Sequence, residues 1–321
     1  MIVTLTANPS LDRTVALPGP LERGHVQRAV AVTSGPGGKG VNVARVVQAA
    51  GRPAVAVLPG GHDDPLLHAL RDAGLTHRAV PVHGQVRVNL TLSEPDGTTT
   101  KINDPGLPLD AQVLQQLADV LMQEATGARW AVLSGSLPPG VPSDWYAELI
   151  ARLTGRGVDV AVDTSGPALL ATLADGVTTL PTLLKHNGEE LAQIAGTPGL
   201  DLEHDLDAAV AAATAVVQRG VRAVLATLGA AGALLVTREG AWSAVPPKVR
   251  ARSTVGAGDS ALAGYLLADL TGADPADRLR SAVAHGAAAV ALPGSTLPTP
   301  ADLALGEVSV TRLHARPLRT A

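Results

Sequence analysis

The stretch Thr254-Val255-Gly256-Ala257-Gly258-Asp259-Ser260 places two glycines ahead of an aspartate that leads into an apolar, helix-like run. Glycines at 256 and 258 let consecutive amides, with Ala257 between them, converge on an anion, and the following helix adds its positive end. Asp259 then stands where a carboxylate can accept a hydroxyl proton and, at a helix N-terminus, is expected to stay ionised near neutral pH. A base beside an anion cradle suits phosphoryl transfer. The same residues also fit a plain turn with Asp259 as a dipole-favoured first-turn residue, so other segments must decide.

Gly35-Pro36-Gly37-Gly38-Lys39-Gly40-Val41-Asn42 satisfies G-x-G-x-x-G but follows irregular chain, whereas a dinucleotide site needs the first buried strand of a βαβ unit before it. It is not a Walker A loop, because Gly40 and Val41 follow Lys39 where Ser or Thr is required. What remains is a loop suited to polyol hydroxyls and phosphate, or a glycine-rich crossover with a solvated lysine. In Lys185-His186-Asn187-Gly188-Glu189-Glu190, Asn187 and Glu190 can share a helical face toward a hydrated magnesium ion, or simply cap a helix. Thr227-Leu228-Gly229-Ala230-Ala231-Gly232 reads as a glycine turn, a hairpin that fits a nucleotide lying across adjacent strand ends.

The elements that must position these residues follow from periodicity. Apolar runs at 2–8, 54–58, 130–133, 158–162, 180–184 and 223–226 read as buried parallel strands. Helices at 41–50, 65–74, 111–124, 144–155 and 205–219 lie between them, which predicts an open, mostly parallel α/β sheet covered on both faces, with ligands at the strands' carboxyl ends. Two segments, 14–34 and 85–103, break the rhythm; in the second, Val86, Val88, Leu90 and Leu92 alternate with Arg87, Asn89 and Thr91. Such an antiparallel excursion has an apolar face to cover, so it is expected to close over a ligand, pair with a second subunit, or both.

Composition narrows the partners. With 46% apolar and 17% charged residues and a net charge of -4, the 321-residue chain has no basic footprint for nucleic acid and no polybasic patch for a membrane surface. Cysteine is absent, which removes thiolate metal sites and cysteine nucleophiles, and the start of the chain lacks the pattern of a signal peptide, so a cytoplasmic protein is expected. Phenylalanine is absent too, so Val, Leu, Ala and Ile must fill the core.

Taken in order, these elements resemble the ribokinase-like carbohydrate kinases, the PfkB family, over essentially the whole chain. Gly37-Gly38 with Asn42 resembles that family's amino-terminal sugar signature, and Ser253 to Ser260 with the following Ala-Leu-Ala-Gly-Tyr-Leu its carboxy-terminal one. The phrases at 6–14, 37–42, 100–106 and 134–142 most resemble members that act on fructose 1-phosphate, with tagatose 6-phosphate and fructose 6-phosphate as alternatives. The resemblance implies a ribokinase-like three-layer α/β/α fold, one kinase domain over 1–321 with a small β-strand lid, and transfer of the ATP γ-phosphoryl to a sugar hydroxyl. It assigns catalysis to Asp259 and the Gly256, Ala257 and Gly258 backbone. Sugar and substrate phosphate fall to Asp12, Arg28, Gly37, Gly38, Lys39, Asn42, Arg87, Asn89, Lys101 and Ser136, with Arg28 reaching a site from the lid, within one chain or across a dimer.

The nucleotide falls to Lys185, Asn187, Glu190, Thr227, Gly229, Gly232 and Thr254, with Mg2+ held through water by Glu190 and Asn187 and room for a monovalent cation. His186, where the family usually has proline, and Ser253, where many members have Asp or Asn, depart from the pattern. A homodimer through the lid strands is implied. The alternative from another class is a sensor that binds a sugar phosphate without catalysis.

Overall fold

Strands apolar on both faces need a helical layer on each side. Ile2-Val3-Thr4-Leu5-Thr6 is wholly buried, as are the strands at 130–134 and 159–163. The computed structural model describes residues 1–313. Its elements run β1 (Ile2–Thr6), β2 (Ser10–Ala16), β3 (Ala31–Gly37), α1 (Lys39–Ala49), β4 (Ala54–Pro59), α2 (Pro65–Asp72), β5 (His77–Val80), β6 (Arg87–Ser93), β7 (Thr99–Ile102), α3 (Ala111–Glu124) and β8 (Trp130–Ser134). There follow α4 (Trp145–Thr154), β9 (Asp159–Asp163), α5 (Gly166–Ala171), β10 (Leu183–Asn187), α6 (Gly188–Ile194), α7 (Leu206–Gln218), β11 (Ala223–Thr227), β12 (Ala233–Thr237), β13 (Gly240–Val245), α8 (Ala257–Asp269), α9 (Pro275–Ala291) and β14 (Ser309–Leu313).

The main sheet has ten strands in the order β14-β13-β12-β11-β10-β9-β8-β1-β4-β5. From β11 to β5 neighbouring strands are parallel; β12, β13 and β14 extend the sheet in antiparallel fashion. Strand alternation splits the apolar side chains into two clusters. Ile2, Ala56, Val132 and Leu225 face α1, α2, α8 and α9, whereas Val3, Val57, Leu133 and Val224 face α3 to α7. The result is the expected three-layer α/β/α arrangement. Strand order reverses between β1 and β8, and in open α/β sheets the crevice outside the carboxyl ends at such a point is where ligands bind.

Three sequence expectations shift. The strand expected at 180–184 runs from Leu183 to Asn187: Pro181 has no N–H for the ladder, and pairing extends to Asn187 opposite Thr227. Lys185 and His186 are therefore strand residues with opposite facing, not a loop. The first irregular segment also reaches further than 14–34, because β2 begins at Ser10 and β3 continues through Gly37, whereas β6 and β7 lie within 85–103. The glycine-rich loop thus starts as a strand and turns into α1 at Gly38.

The four-stranded sheet β3-β2-β6-β7 shows two unlike faces. Register places Ser10, Asp12, Thr14, Arg87, Asn89, Thr91 and Lys101 on one side, and Leu11, Val15, Val32, Val88, Leu90, Leu92 and Ile102 on the other. The polar side borders the carboxyl edge of the main sheet, where the Arg87 Nη2 donates to the Asn8 carbonyl at 3.0 Å. The apolar side is open: Val32 is 57% and Ile102 56% exposed.

Candidate active site

Helices α1 and α8 both begin at a glycine with positive φ, Gly38 at 110° and Gly256 at 74°, and no side chain caps either. By contrast, Asp64, Asp110, Asp205 and Asp274 each cap a helix away from the site. The Ala257 amide reaches the Thr254 carbonyl at 3.4 Å, and the amides of Gly258 and Asp259 in the same uncapped turn are the donors left for an external anion. A left-handed turn at Gly256 directs them, a conformation that no residue with a Cβ adopts here without strain. Gly258 has a second reason to be glycine, since a Cβ there would lie 2.6 Å from the Lys185 ammonium.

Asp259 lies in the first turn of α8, 7% exposed, and accepts a hydrogen bond from the Asn42 Nδ2 of α1 at 2.8 Å. The two glycine-started helices are thereby tied together through the proposed base. The helix dipole does not decide the charge of Asp259 by itself. Burial, reinforced by the nearby Asp163 carboxylate, outweighs Lys39, Lys185 and the Asn42 hydrogen bond and pushes its pKa up to about 6. The carboxylate is thus a stronger base than an exposed one, and it is still mostly ionised at neutral pH.

Asp163, which the sequence reading missed, is the centre of the charge arrangement. It ends β9 on the same face as Ser134 of β8 and is fully buried. Its Oδ1 takes the Lys39 Nζ at 2.5 Å and its Oδ2 faces the Lys185 Nζ at 3.0 Å. Burial alone would raise its pKa, but the two ammonium groups hold it well below the usual carboxylate range. Burial likewise opposes the charge of Lys39, yet Asp163 and Asp259 prevail and keep that ammonium protonated. Lys39 and Lys185 thus balance Asp163 and Asp259, and the two ammonium groups remain the cationic donors of the cluster for a phosphate. Lys39 is therefore paired to the sheet, although its side chain keeps 34% of its surface exposed. A signal for Asp163 was available: a charged residue closing the buried run Val158-Asp159-Val160-Ala161-Val162 sits at the strand's carboxyl end.

The sugar-side candidates gather on the polar face of the small sheet. Asp12 accepts from the Ser10 hydroxyl at 2.7 Å and from the Asn89 Nδ2 at 3.1 Å, and its carboxylate packs so closely on Gly37 that a Cβ would collide with it. Arg87 also donates to the Asp104 carbonyl at 2.9 Å, and Lys101 is exposed beside Thr91. Ser136, exposed after β8, stands 3.4 Å from the Asn8 Nδ2. Arg28 does not join them: it is exposed in the connection between β2 and β3.

On the other flank, Asn187 caps α6. Its Oδ1 accepts from the Glu190 amide at 2.7 Å, while the Glu190 Oε2 accepts from the Asn187 amide at 3.0 Å. This capping box leaves the Glu190 Oε1 and a lone pair of the Asn187 carbonyl without protein partners, hard oxygen donors that fit a magnesium ion retaining most of its water. No group of three or more Asp, Glu or His residues able to cage a metal occurs among the described residues. Thr227 ends β11 with its hydroxyl on the His186 carbonyl at 3.2 Å. Gly229 and Gly232 form the turn into β12, so the hairpin reading holds. Thr254 is exposed just before α8.

Of the two departures from the family pattern, Ser253 finds a partner, whereas both ring nitrogens of the fully buried His186 have none among the described residues. Alternation turns the His186 ring to the face opposite Lys185, where burial drives its pKa down to about 3 and leaves it neutral. The Ser253 Oγ accepts from the Val255 amide at 3.1 Å.

Comparison with known proteins agrees with this geometry. The family model described as pfkB family carbohydrate kinase matches residues 6–302. The chain is 39% identical over 286 residues to a 1-phosphofructokinase of Xanthomonas campestris, covering 87% of this chain and 88% of that protein. It is 36% identical to a 1-phosphofructokinase of Rhodobacter capsulatus, covering 97% and 96%. Among solved structures, phosphofructokinase-2 from Escherichia coli in complex with potassium superposes with a TM-score of 0.86 at 33% identity, covering 94% of this chain and 96% of that one. A crevice built at a topological switch point, with a carboxylate and free helix amides at its base, is what a phosphotransferase acting on a sugar hydroxyl requires, and the chain belongs to the pfkB family of carbohydrate kinases.

Proposed function

We propose that the chain phosphorylates the 6-hydroxyl of fructose 1-phosphate with ATP, giving fructose 1,6-bisphosphate. The observation that carries this reading is the buried Asp259, held by Asn42 at the open amino end of α8 and bordered by the Lys39–Asp163–Lys185 cluster. Asp259 takes the proton of the 6-hydroxyl as its oxygen attacks the γ-phosphorus, and the bond to the ADP oxygen breaks. Amides of Gly256 to Asp259 and the Lys185 ammonium face the charge that spreads over the transferring group; in comparable anion holes one donor is worth about 3 kcal/mol. Asp12, Asn42, Gly37 and Gly38 orient the sugar hydroxyls, while Lys39, Arg87, Asn89, Lys101 and Ser136 take its phosphate. The nucleotide lies against Lys185, Thr227, Gly229, Gly232 and Thr254.

Mg2+, bound through water by Glu190 and Asn187, supplies charge neutralisation on the ATP phosphates. A monovalent cation near Ser253 is an optional part of this reading, supported by the potassium named for the Escherichia coli relative. The four-stranded sheet acts as a lid on a single kinase domain, its polar face excluding water so that ATP is not hydrolysed. Its apolar face is the surface for a homodimer, through which Arg28 reaches a partner's site. The reading places the protein in the cytoplasm, with a phosphosugar, ATP and a second copy of the chain as its partners.

Comparing kcat/KM for fructose 1-phosphate, fructose 6-phosphate and tagatose 6-phosphate at the same Mg-ATP concentration tests the substrate. Fructose 1-phosphate should lead by at least about tenfold. A lead by either other ketose phosphate would overturn that choice.

A further inference from the structure

Asp64 is 2% exposed, and its two oxygens are taken by two backbone amides from different parts of the fold. The Oδ1 accepts from the Leu66 amide at 2.8 Å, capping α2, and the Oδ2 accepts from the Val86 amide at 2.8 Å. Val86 immediately precedes β6, and its side chain is buried in the same cluster as Leu66, Leu67 and Leu70 of α2. One carboxylate therefore fixes the entry of β6 to the main body of the fold. Beyond that point, the ladder bonds of β6 run to β2 and β7 inside the small sheet.

Position matters here more than strength. A strand's side chains alternate, so sliding β6 by one residue would exchange Arg87, Asn89 and Thr91 for Val88, Leu90 and Leu92 on the polar face. The ladder to β2, a strand held three residues from β1, and the Arg87 bond to the Asn8 carbonyl resist such a slip. The Asp64–Val86 bond refers β6 to α2, outside the small sheet, and being charge-assisted it is stronger than an ordinary ladder bond.

We propose that Asp64 is a positioning residue that sets the entry and register of β6 and thereby aims Arg87 and Asn89 at the sugar phosphate. The substrate part of this statement rests on the function proposed above. Asp64→Ser separates its two roles: serine remains a good N-cap for α2 but is too short to reach the Val86 amide. In the full-length protein, amide hydrogen exchange should speed up across 86–92 and remain unchanged across 54–58 and 66–72. The KM for fructose 1-phosphate should rise about tenfold, the factor carried by one charge-assisted hydrogen bond, with kcat and the KM for ATP within about twofold.

Two controls frame the result. Asp110→Ala, which removes a cap from α3, should lower Tm without moving either KM, and Arg87→Ala should raise the sugar-phosphate KM by itself. Wild-type exchange across 86–92 in Asp64→Ser overturns the anchor. So does an unchanged sugar-phosphate KM where Arg87→Ala raises it. If Arg87→Ala leaves that KM unchanged, the sugar-site assignment of Arg87 fails, and the exchange rates decide the anchor by themselves.

Discussion

Asp259 carries two opposed demands, since a base must be available to substrate and a buried charge is costly. Its pKa, raised from 3.8 to about 6, means the folded protein holds a proton that the unfolded chain has already released between those values. The stability contributed by this group is therefore greatest below about pH 4 and is lost as pH rises through the folded pKa, by about 3 kcal/mol. Asp259→Asn should accordingly melt at a higher temperature than the wild type at pH 8, with the difference shrinking toward pH 4. Calorimetry at both values checks the sign. The same shift sets the acid limb of catalysis: kcat/KM should fall about tenfold per pH unit well below 6, and a profile flat to pH 4.5 would remove Asp259 from the proton transfer.

The elements show why some residues were legible in the sequence and others were not. The glycines of 256–258 announce themselves, because a turn that bares helix amides needs a residue without a Cβ. Asp163 and Ser10 did not, since their meaning lies in neighbours 124 and 79 positions away, Lys39 and Asn89. The polar run Lys185-His186-Asn187 follows the apolar stretch 180–184 in one dimension and becomes part of the strand only when β9 and β11 flank it. A core of Val, Leu, Ala and Ile was legible from the absence of phenylalanine, but the near approach of α8 and α9, where a Cβ on Gly264 would meet the Ser281 carbonyl at 2.6 Å, was not. For α8 itself, Gly258→Ala should leave stability almost unchanged, because alanine favours the helix while only the tip of a lysine must move. Displacing Lys185 should nevertheless cut kcat about tenfold or more, read by steady-state kinetics beside a thermal melt. Native turnover in that variant would detach Lys185 from the transferring phosphate.

At the level of the whole molecule, the small sheet divides its labour by face. The sequence alternation showed an apolar face in need of cover but not which partner each face has. Pairing register puts Val32, Val88 and Ile102, all exposed, on the face opposite the polar one, and the exposed Val30 immediately precedes β3. Single exposed apolar residues are ordinary, whereas a contiguous apolar sheet face marks an interface. Val32→Glu combined with Ile102→Glu should convert a dimer to a monomer in sedimentation velocity; a wild-type chain that sediments as a monomer would reject the lid as the interface.

The central claim concerns the proton at position 259. Turnover of Asp259→Asn with fructose 1-phosphate and Mg-ATP, measured beside binding of each substrate by calorimetry, tests it most directly. Binding should stay within a few-fold of the wild type while kcat drops about 10²–10⁴-fold. A variant that binds both substrates and turns over at a near-native rate would contradict the account.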